Sequence, residues 1–165
     1  MIEQEIILRK EECDWILDSA GEYVRSGITR DGNLVEIDEI RTSYEYTFVD
    51  NEQLYALLFP KLKKFGIKSL PSNITVIRYN PGHEFKYHVD NGVNLNYRIK
   101  SVSIQLSDEY DGGEMVVWGY DGDVLFNKEI GNLIIFNSEL PHQAFPVKSG
   151  TRYALVFWLR EENLI

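Results

Sequence analysis

The chain has three histidines, His83, His88 and His142, and one of them stands one residue from a carboxylate in the stretch "YHVDNG" at 87–92. On an extended strand successive side chains alternate, so His88 and Asp90 face one way and Val89 the other. Two potential metal ligands therefore share a wall. His142, in "ELPHQAFPV", lies far along the chain, but late strands of a closed β structure commonly return beside early ones. Two imidazoles and one carboxylate, with positions left over for exogenous ligands, are the donor set that suits non-haem Fe(II). By itself a His-x-Asp pair is as readily a surface hydrogen bond, so the weight falls on what else the chain supplies.

It supplies an arginine. Arg152 opens the apolar run "RYALVFWL", in which Arg152, Ala154, Val156 and Trp158 share one face and Tyr153, Leu155, Phe157 and Leu159 the other. A guanidinium leading an apolar strand needs an anionic partner, and a carboxylate held bidentately satisfies it. Lys148, beside the Ser-Gly turn signal of "VKSGT", is expected to reach solvent. In "SVSIQLS" the alternation sets Ser101, Ser103 and Gln105 against Val102, Ile104 and Leu106, which implies a polar pocket wall with Gln105 on it. Other candidates have plainer roles. His83, in a "NPGHE" turn, is a solvated loop histidine, and Gly112 and Gly113 precede a strand, so they mark a hairpin rather than a phosphate loop. Trp118 and Trp158 are packing residues, Glu114 has no matching partner on its strand, and Cys13 fits a buried helix face.

These residues have to be held by elements. From Lys10 to Ser26 the residues Cys13, Ile16, Leu17, Ala20 and Val24 recur at helical spacing, which predicts one amphipathic helix. A second helix is expected after Asp50 as N-cap, with Gln53 three residues on, running through Leu54, Leu57 and Leu58 towards Gly66 and kinked or divided at Pro60. Between them "RTSYEYTFV" is extended. From Asn73 onward come strand candidates "ITVIRY", "EFKYHVD", "SVSIQLS", "GEMVVW", "DVLF", "NLIIFN", "HQAFPV" and "RYALVFWL", separated by Gly-, Pro- and Asn-containing turn signals. About eight strands behind two helices indicate a mainly β chain: a jelly-roll, or double-stranded β-helix, core with N-terminal helices packed on the sheet. One domain over 1–165 is expected, with a helical and extended layer over about 1–70 and the β core over about 71–160.

Composition narrows the function classes. The formal net charge of -9, with no long run of Lys or Arg, disfavours a nucleic-acid partner. Cys13 is the only cysteine, which excludes an internal disulfide and a thiolate metal cluster. No basic segment followed by an apolar stretch opens the chain and none of its stretches has the length of a membrane span, so a cytoplasmic protein without membrane contact is the expectation.

The ordered set His88, Asp90, His142 and Arg152, with "YNPGHEFKYHVD", "GGEM" and "SGTRYALVFWL" around it, resembles the 2-oxoglutarate and Fe(II)-dependent oxygenases, and within them the prolyl 4-hydroxylase group. The similarity runs roughly from Arg41 to Arg160, and "RTS" at 41–43 resembles a segment that group carries just ahead of its catalytic sheet. The resemblance implies that His88, Asp90 and His142 hold Fe(II), that 2-oxoglutarate chelates the metal, and that Arg152 takes its distant carboxylate. Tyr79 matches a family position whose hydroxyl helps bind the co-substrate, and Gln105 is a weaker candidate for contact with co-substrate or substrate. Fe(II), 2-oxoglutarate and O2, with ascorbate in support, would convert a C–H bond to C–OH and release succinate and CO2. The implied substrate is a prolyl residue of a peptide or protein; a free amino acid or another small molecule is the alternative. A non-catalytic cupin-like metal-binding module would have no use for the arginine anchor. Collagen-type members carry lysine where Arg152 stands, whereas oxygen-sensing, bacterial and viral members carry arginine, which argues against a collagen-like substrate. The alkylation-repair relatives place a second arginine six residues after the first, where this chain has Trp158, with Arg160 two further on.

Overall fold

Strands form where β-branched and aromatic residues alternate with polar ones, and such alternations recur along much of this chain. The computed structural model describes residues 1–30, 33–35, 40–92 and 94–165. In chain order the elements are β1 (Ile2–Ile6), α1 (Lys10–Ser19), β2 (Val24–Arg25), β3 (Ile28–Arg30), β4 (Asn33–Val35), β5 (Tyr44–Val49), α2 (Glu52–Leu62), β6 (Asn73–Tyr79), β7 (Phe85–His88), β8 (Lys100–Gln105), β9 (Tyr110–Gly112), β10 (Met115–Gly119), β11 (Gly122–Leu125), β12 (Asn132–Asn137), β13 (His142–Ala144), β14 (Val147–Gly150) and β15 (Arg152–Leu159). Short 3-10 turns cover Lys63–Phe65 and Glu161–Asn163.

Seven strands make a large antiparallel sheet in the order β1-β12-β8-β15-β6-β5-β2, and four make a smaller one in the order β11-β10-β13-β7. This is the expected double-stranded β-helix. The large sheet turns one face to the helices: Leu155, Phe157, Leu159, Val102, Ile104 and Val76 pack with Cys13 and Ile16 of α1 and Leu54, Leu58 and Leu62 of α2. Its other face meets the small sheet across two lesser clusters. One holds Met115, Val117, Ile134 and Phe136, the other Ile77, Tyr79, Tyr110 and Ala144. Among the described residues no helix is long and apolar enough to cross a membrane.

Several local expectations are corrected. α1 stops at Ser19 instead of Ser26, because the backbone turns extended at Ala20, and Val24 and Arg25 pair with Glu45 and Tyr44 as β2. Val24 keeps helical spacing from Ala20, yet it lies 60% exposed. The cap of α2 is Asn51, whose Oδ1 accepts the Leu54 N–H at 2.9 Å. Asp50, one residue earlier, takes a left-handed backbone with φ 47°. Pro60 neither divides α2 nor ends it: the helix runs on to Leu62, because the proline stands in its last turn and removes a single ladder bond.

The Gly112-Gly113 pair is not a hairpin. β9 pairs with β14 while β10 pairs with β11 and β13, so the two glycines carry the chain from one sheet to another. Both have positive φ, 71° and 63°, and a Cβ on Gly112 would sit 2.6 Å from the Pro146 carbonyl oxygen, so no other residue fits there. "HQAFPV" is likewise two strands rather than one, β13 and β14, broken around Pro146. Lys148 lies on β14, not in a turn, and is exposed as expected.

The corrected cap is testable. Asn51→Ala should cost about 1 kcal/mol of stability, whereas Asp50→Gly should be neutral or stabilise by up to about 1 kcal/mol, because it relieves a left-handed backbone. Urea unfolding midpoints of the two variants check this, and loss from Asp50→Gly with none from Asn51→Ala would contradict the cap.

Candidate metal centre

β7 and β13 are neighbours in the small sheet, and their register sets His88 directly opposite His142. The ring centroids lie 4.2 Å apart. Between that pair and the next, Ala144 opposite Phe85, β7 carries one extra residue. This bulge brings Phe85 to the same side as His88, and the two rings stack at 3.5 Å, nearly parallel. The strand expected to reach Asp90 ends at His88, and Asp90 follows in a bend. Its backbone N–H donates to the Ser138 carbonyl oxygen at 3.0 Å, so the loop after β12 fixes it.

The three side chains converge. His88 Nε2 lies 3.5 Å from Asp90 Oδ1 and His142 Nε2 3.3 Å from Asp90 Oδ2. One donor atom from each falls within 4.8 Å of the others. Each imidazole turns its other nitrogen to a backbone carbonyl: His88 Nδ1 to Lys86 O at 2.6 Å and His142 Nδ1 to Leu140 O at 3.0 Å. A carbonyl accepts only from an N–H, so Nδ1 carries the proton and Nε2 keeps its lone pair for a metal. Ser101 Oγ donates to Asp90 Oδ2 at 2.6 Å and is itself 3.0 Å from Ser138 Oγ. Two neutral imidazoles, one carboxylate and a second layer that orients all three fit a divalent transition metal such as Fe(II). Val89 is exposed and faces away.

Charge binds the set together. Burial would raise the Asp90 carboxyl, but His142 and His88 beside it hold it well below the usual carboxylate value. Burial lowers His142, and the Asp90 carboxylate more than reverses this, so its pKa is raised. His88 is lowered, by burial first and by His142 in addition, against the pull of Asp90.

Beyond the triad the pocket is walled by Tyr79, Ser103, Phe136, Arg152 and Trp158, and by Arg41 on the side of β7. Arg152 is 2% exposed and, among the described residues, has no carboxylate partner. Its Nε donates to Gln105 Oε1 at 3.3 Å, Gln105 Nε2 donates to the Tyr110 hydroxyl at 2.9 Å, and the guanidinium carbon lies 5.1 Å from the Tyr79 ring centre. Tyr79 sits opposite Arg152 across β6 and β15. Gln105, expected on the pocket wall, instead stands behind Arg152 and does not line the pocket.

Three residues here were not singled out by type and spacing. Tyr110 completes the support of Arg152. Arg41 is 8% exposed, with Nε on Ser43 Oγ and one amino group on the Gly27 carbonyl. Arg98 stacks on Trp158 at 3.9 Å, and Trp158, expected only to pack, stands on the pocket wall. Arg41 and Arg98 stand outside the named strands, and Tyr110 opens a strand of only three residues, so none of them has an alternation that would have marked it. The remaining candidates are elsewhere. His83 Nδ1 accepts the Asn80 N–H at 3.1 Å and the ring stacks on Tyr44. Glu114 pairs with Lys128 at 3.5 Å. Cys13 is wholly buried, its Sγ 3.8 Å from the Gln105 carbonyl, with the thiol pushed by burial to about 12.

A family model described as the 2OG-Fe(II) oxygenase superfamily matches residues 74–160. A PKHD-type hydroxylase of Maricaulis maris is 36% identical over 92 residues, covering 54% of this chain and 42% of that protein. The chain spans 41% to 61% of the length of curated relatives it matches. Two solved structures share the fold: a Pseudomonas putida prolyl-4-hydroxylase, with TM-score 0.72 and 19% identity over 96% of this chain and 91% of that one, and a Trichoplax adhaerens prolyl hydroxylase in complex with a hypoxia inducible factor oxygen degradation domain peptide fragment, with TM-score 0.76 and 18% identity over 98% and 83%.

Two outcomes follow for metal binding, both measurable with Mn(II). Asp90→Ala removes the anionic donor and should weaken binding by more than about 100-fold, beyond the effect of losing an outer-layer partner, whereas Val89→Ala should leave it unchanged. At a pH where His142 is protonated in the free protein, binding should also release that proton. Because the raised His142 value lies above 6.5, affinity should begin to fall as pH drops through a value above 6.5, with His88 competing only further down. Calorimetry in buffers of different ionisation enthalpy counts those protons.

Proposed function

The chain belongs to the 2OG-Fe(II) oxygenase superfamily, and from that premise we propose that it is a 2-oxoglutarate-dependent dioxygenase that hydroxylates a prolyl residue in a peptide or protein. One observation carries the proposal: two imidazole Nε2 atoms and a carboxylate converge in the same pocket that holds a buried arginine with no acid of its own among the described residues. His88, Asp90 and His142 hold the metal, and Arg152 takes the distant carboxylate of 2-oxoglutarate. Tyr79, on the wall beside that guanidinium, has its hydroxyl available to the same co-substrate. Bound Fe(II) and 2-oxoglutarate supply, with O2, the oxidation that turns a C–H bond into C–OH and leaves succinate and CO2.

The chain's own residues do the rest. The Nδ1 bonds fix the imidazole orientation, Ser101 steadies Asp90, and Gln105 with Tyr110 steadies Arg152 in the direction of the pocket. Gln105 is thus a positioning residue. The prolyl substrate is supported by the peptide-bound Trichoplax adhaerens neighbour, while Arg152 in the place of the collagen-type lysine argues against a collagen-like one.

The test has two arms. Incubated with Fe(II), 2-oxoglutarate and O2, proline-containing peptides should gain one oxygen by mass spectrometry and raise succinate above the peptide-free level, while free proline should not; oxidation confined to free amino acids would move the substrate to small molecules. Arg152→Ala should cost about 2 to 5 kcal/mol of 2-oxoglutarate binding, because the distant carboxylate is left unpaired. Exposed Lys148→Ala should cost nothing, and Arg152→Lys should fall between. A large loss from Lys148 with none from Arg152 would reverse the assignment.

A further inference from the structure

Three inward-facing residues of β8, the central strand between β12 and β15, form a polar ladder under the pocket: Ser101, Ser103 and Gln105. The two outer rungs are fully used. Ser101 donates to Asp90, and Gln105 spans Arg152 and the Tyr110 hydroxyl. The middle rung is not. Ser103 is 4% exposed and lines the pocket, and its Oγ is buried with no hydrogen-bond partner among the described residues. Its neighbours across the sheet are Ile134 on β12 and Val156 on β15, so the hydroxyl is set in an otherwise apolar strip. A buried hydroxyl without a partner is destabilising, and an alanine would fill the same space without that cost.

Inward residues of a strand are spaced by about 7 Å, which puts Ser103 midway between the rung that holds the metal carboxylate and the rung that holds the arginine. A diacid reaching from His88, Asp90 and His142 to Arg152 must pass over it. We infer that the Ser103 hydroxyl donates a hydrogen bond to an oxygen of the bound 2-oxoglutarate and so selects that co-substrate and its placement. The inference rests on the proposed function above and adds a contact that neither the metal triad nor Arg152 supplies. The acceptor is an anion or a keto oxygen, since a hydroxyl flanked by Ile134 and Val156 has no other partner to hand among the described residues.

The experiment measures 2-oxoglutarate affinity of the Mn(II)-loaded protein without O2, for wild type and Ser103→Ala, together with melting temperature in the absence of ligand. Ser103→Ala should bind 2-oxoglutarate about ten-fold more weakly or worse, as for loss of a hydrogen bond to a charged group, while melting at or above the wild-type temperature. Affinity within two-fold of wild type, roughly the noise of such a comparison, would overturn the role of Ser103 and leave the proposed function standing. A drop in melting temperature alongside the affinity would show that the hydroxyl serves the fold, and would overturn it too. Wild-type protein that binds Mn(II) but not 2-oxoglutarate would instead remove the proposed function and this inference with it.

Discussion

Everything at the site depends on the register of one short strand pair. With β7 and β13 aligned so that His88 faces His142, both imidazoles point into the space between the sheets. A slip of one residue would send one of them to the outer surface, where Tyr87 and Trp118 now pack at 5.2 Å. So short a pairing does not hold itself. It is pinned by β10 on one flank and by the bridge from Arg41 to Phe85 on the other. The bulge in β7 then brings Phe85 under His88 as a flat support.

The second constraint is electrostatic. The site places a carboxylate and a guanidinium in one pocket without letting them pair: Asp90 is drawn to the imidazoles and Ser101, and Arg152 to Gln105. β8 keeps them apart, with one end of its polar face serving the acid and the other the base. A direct Asp90–Arg152 bridge would satisfy both charges and leave nothing to hold a ligand. Separation along a rigid central strand is what keeps each charge available.

The parts of this arrangement visible in the sequence are those governed by period. His88, Asp90 and His142 could be picked out by type and spacing, and Arg152 by standing at the head of an apolar run; the structure brings all four to one pocket. Most strands of the β core were visible for the same reason. Period fails where pairing or a single backbone angle decides. Val24 fits a helix by spacing but is taken by β5, and Gly112 and Gly113 carry a turn signal yet connect two sheets. Phe85, three residues from His88, should face away from it by alternation, and only the bulge reverses that. Gln105 was assigned to the correct face, but its depth behind Arg152 depends on Tyr110, a contact no pattern encodes. β1 escaped notice because a five-residue strand with four polar or exposed positions, "IEQEI", has little apolar signature.

That inconspicuous strand has a consequence for biosynthesis. β1 pairs Ile2 with Phe136 and Ile6 with Asn132, so this strand waits until the distant β12 has been made before it finds its partner. β8 and β15 are in the same position, joined across the middle of the large sheet from distant parts of the sequence. Loop closure on this scale is slow, and until it happens the edges of β12 and β8 are open to other chains. The nascent protein therefore has a window in which its central strands are made but unpaired, and during that interval concentration-dependent aggregation competes with folding.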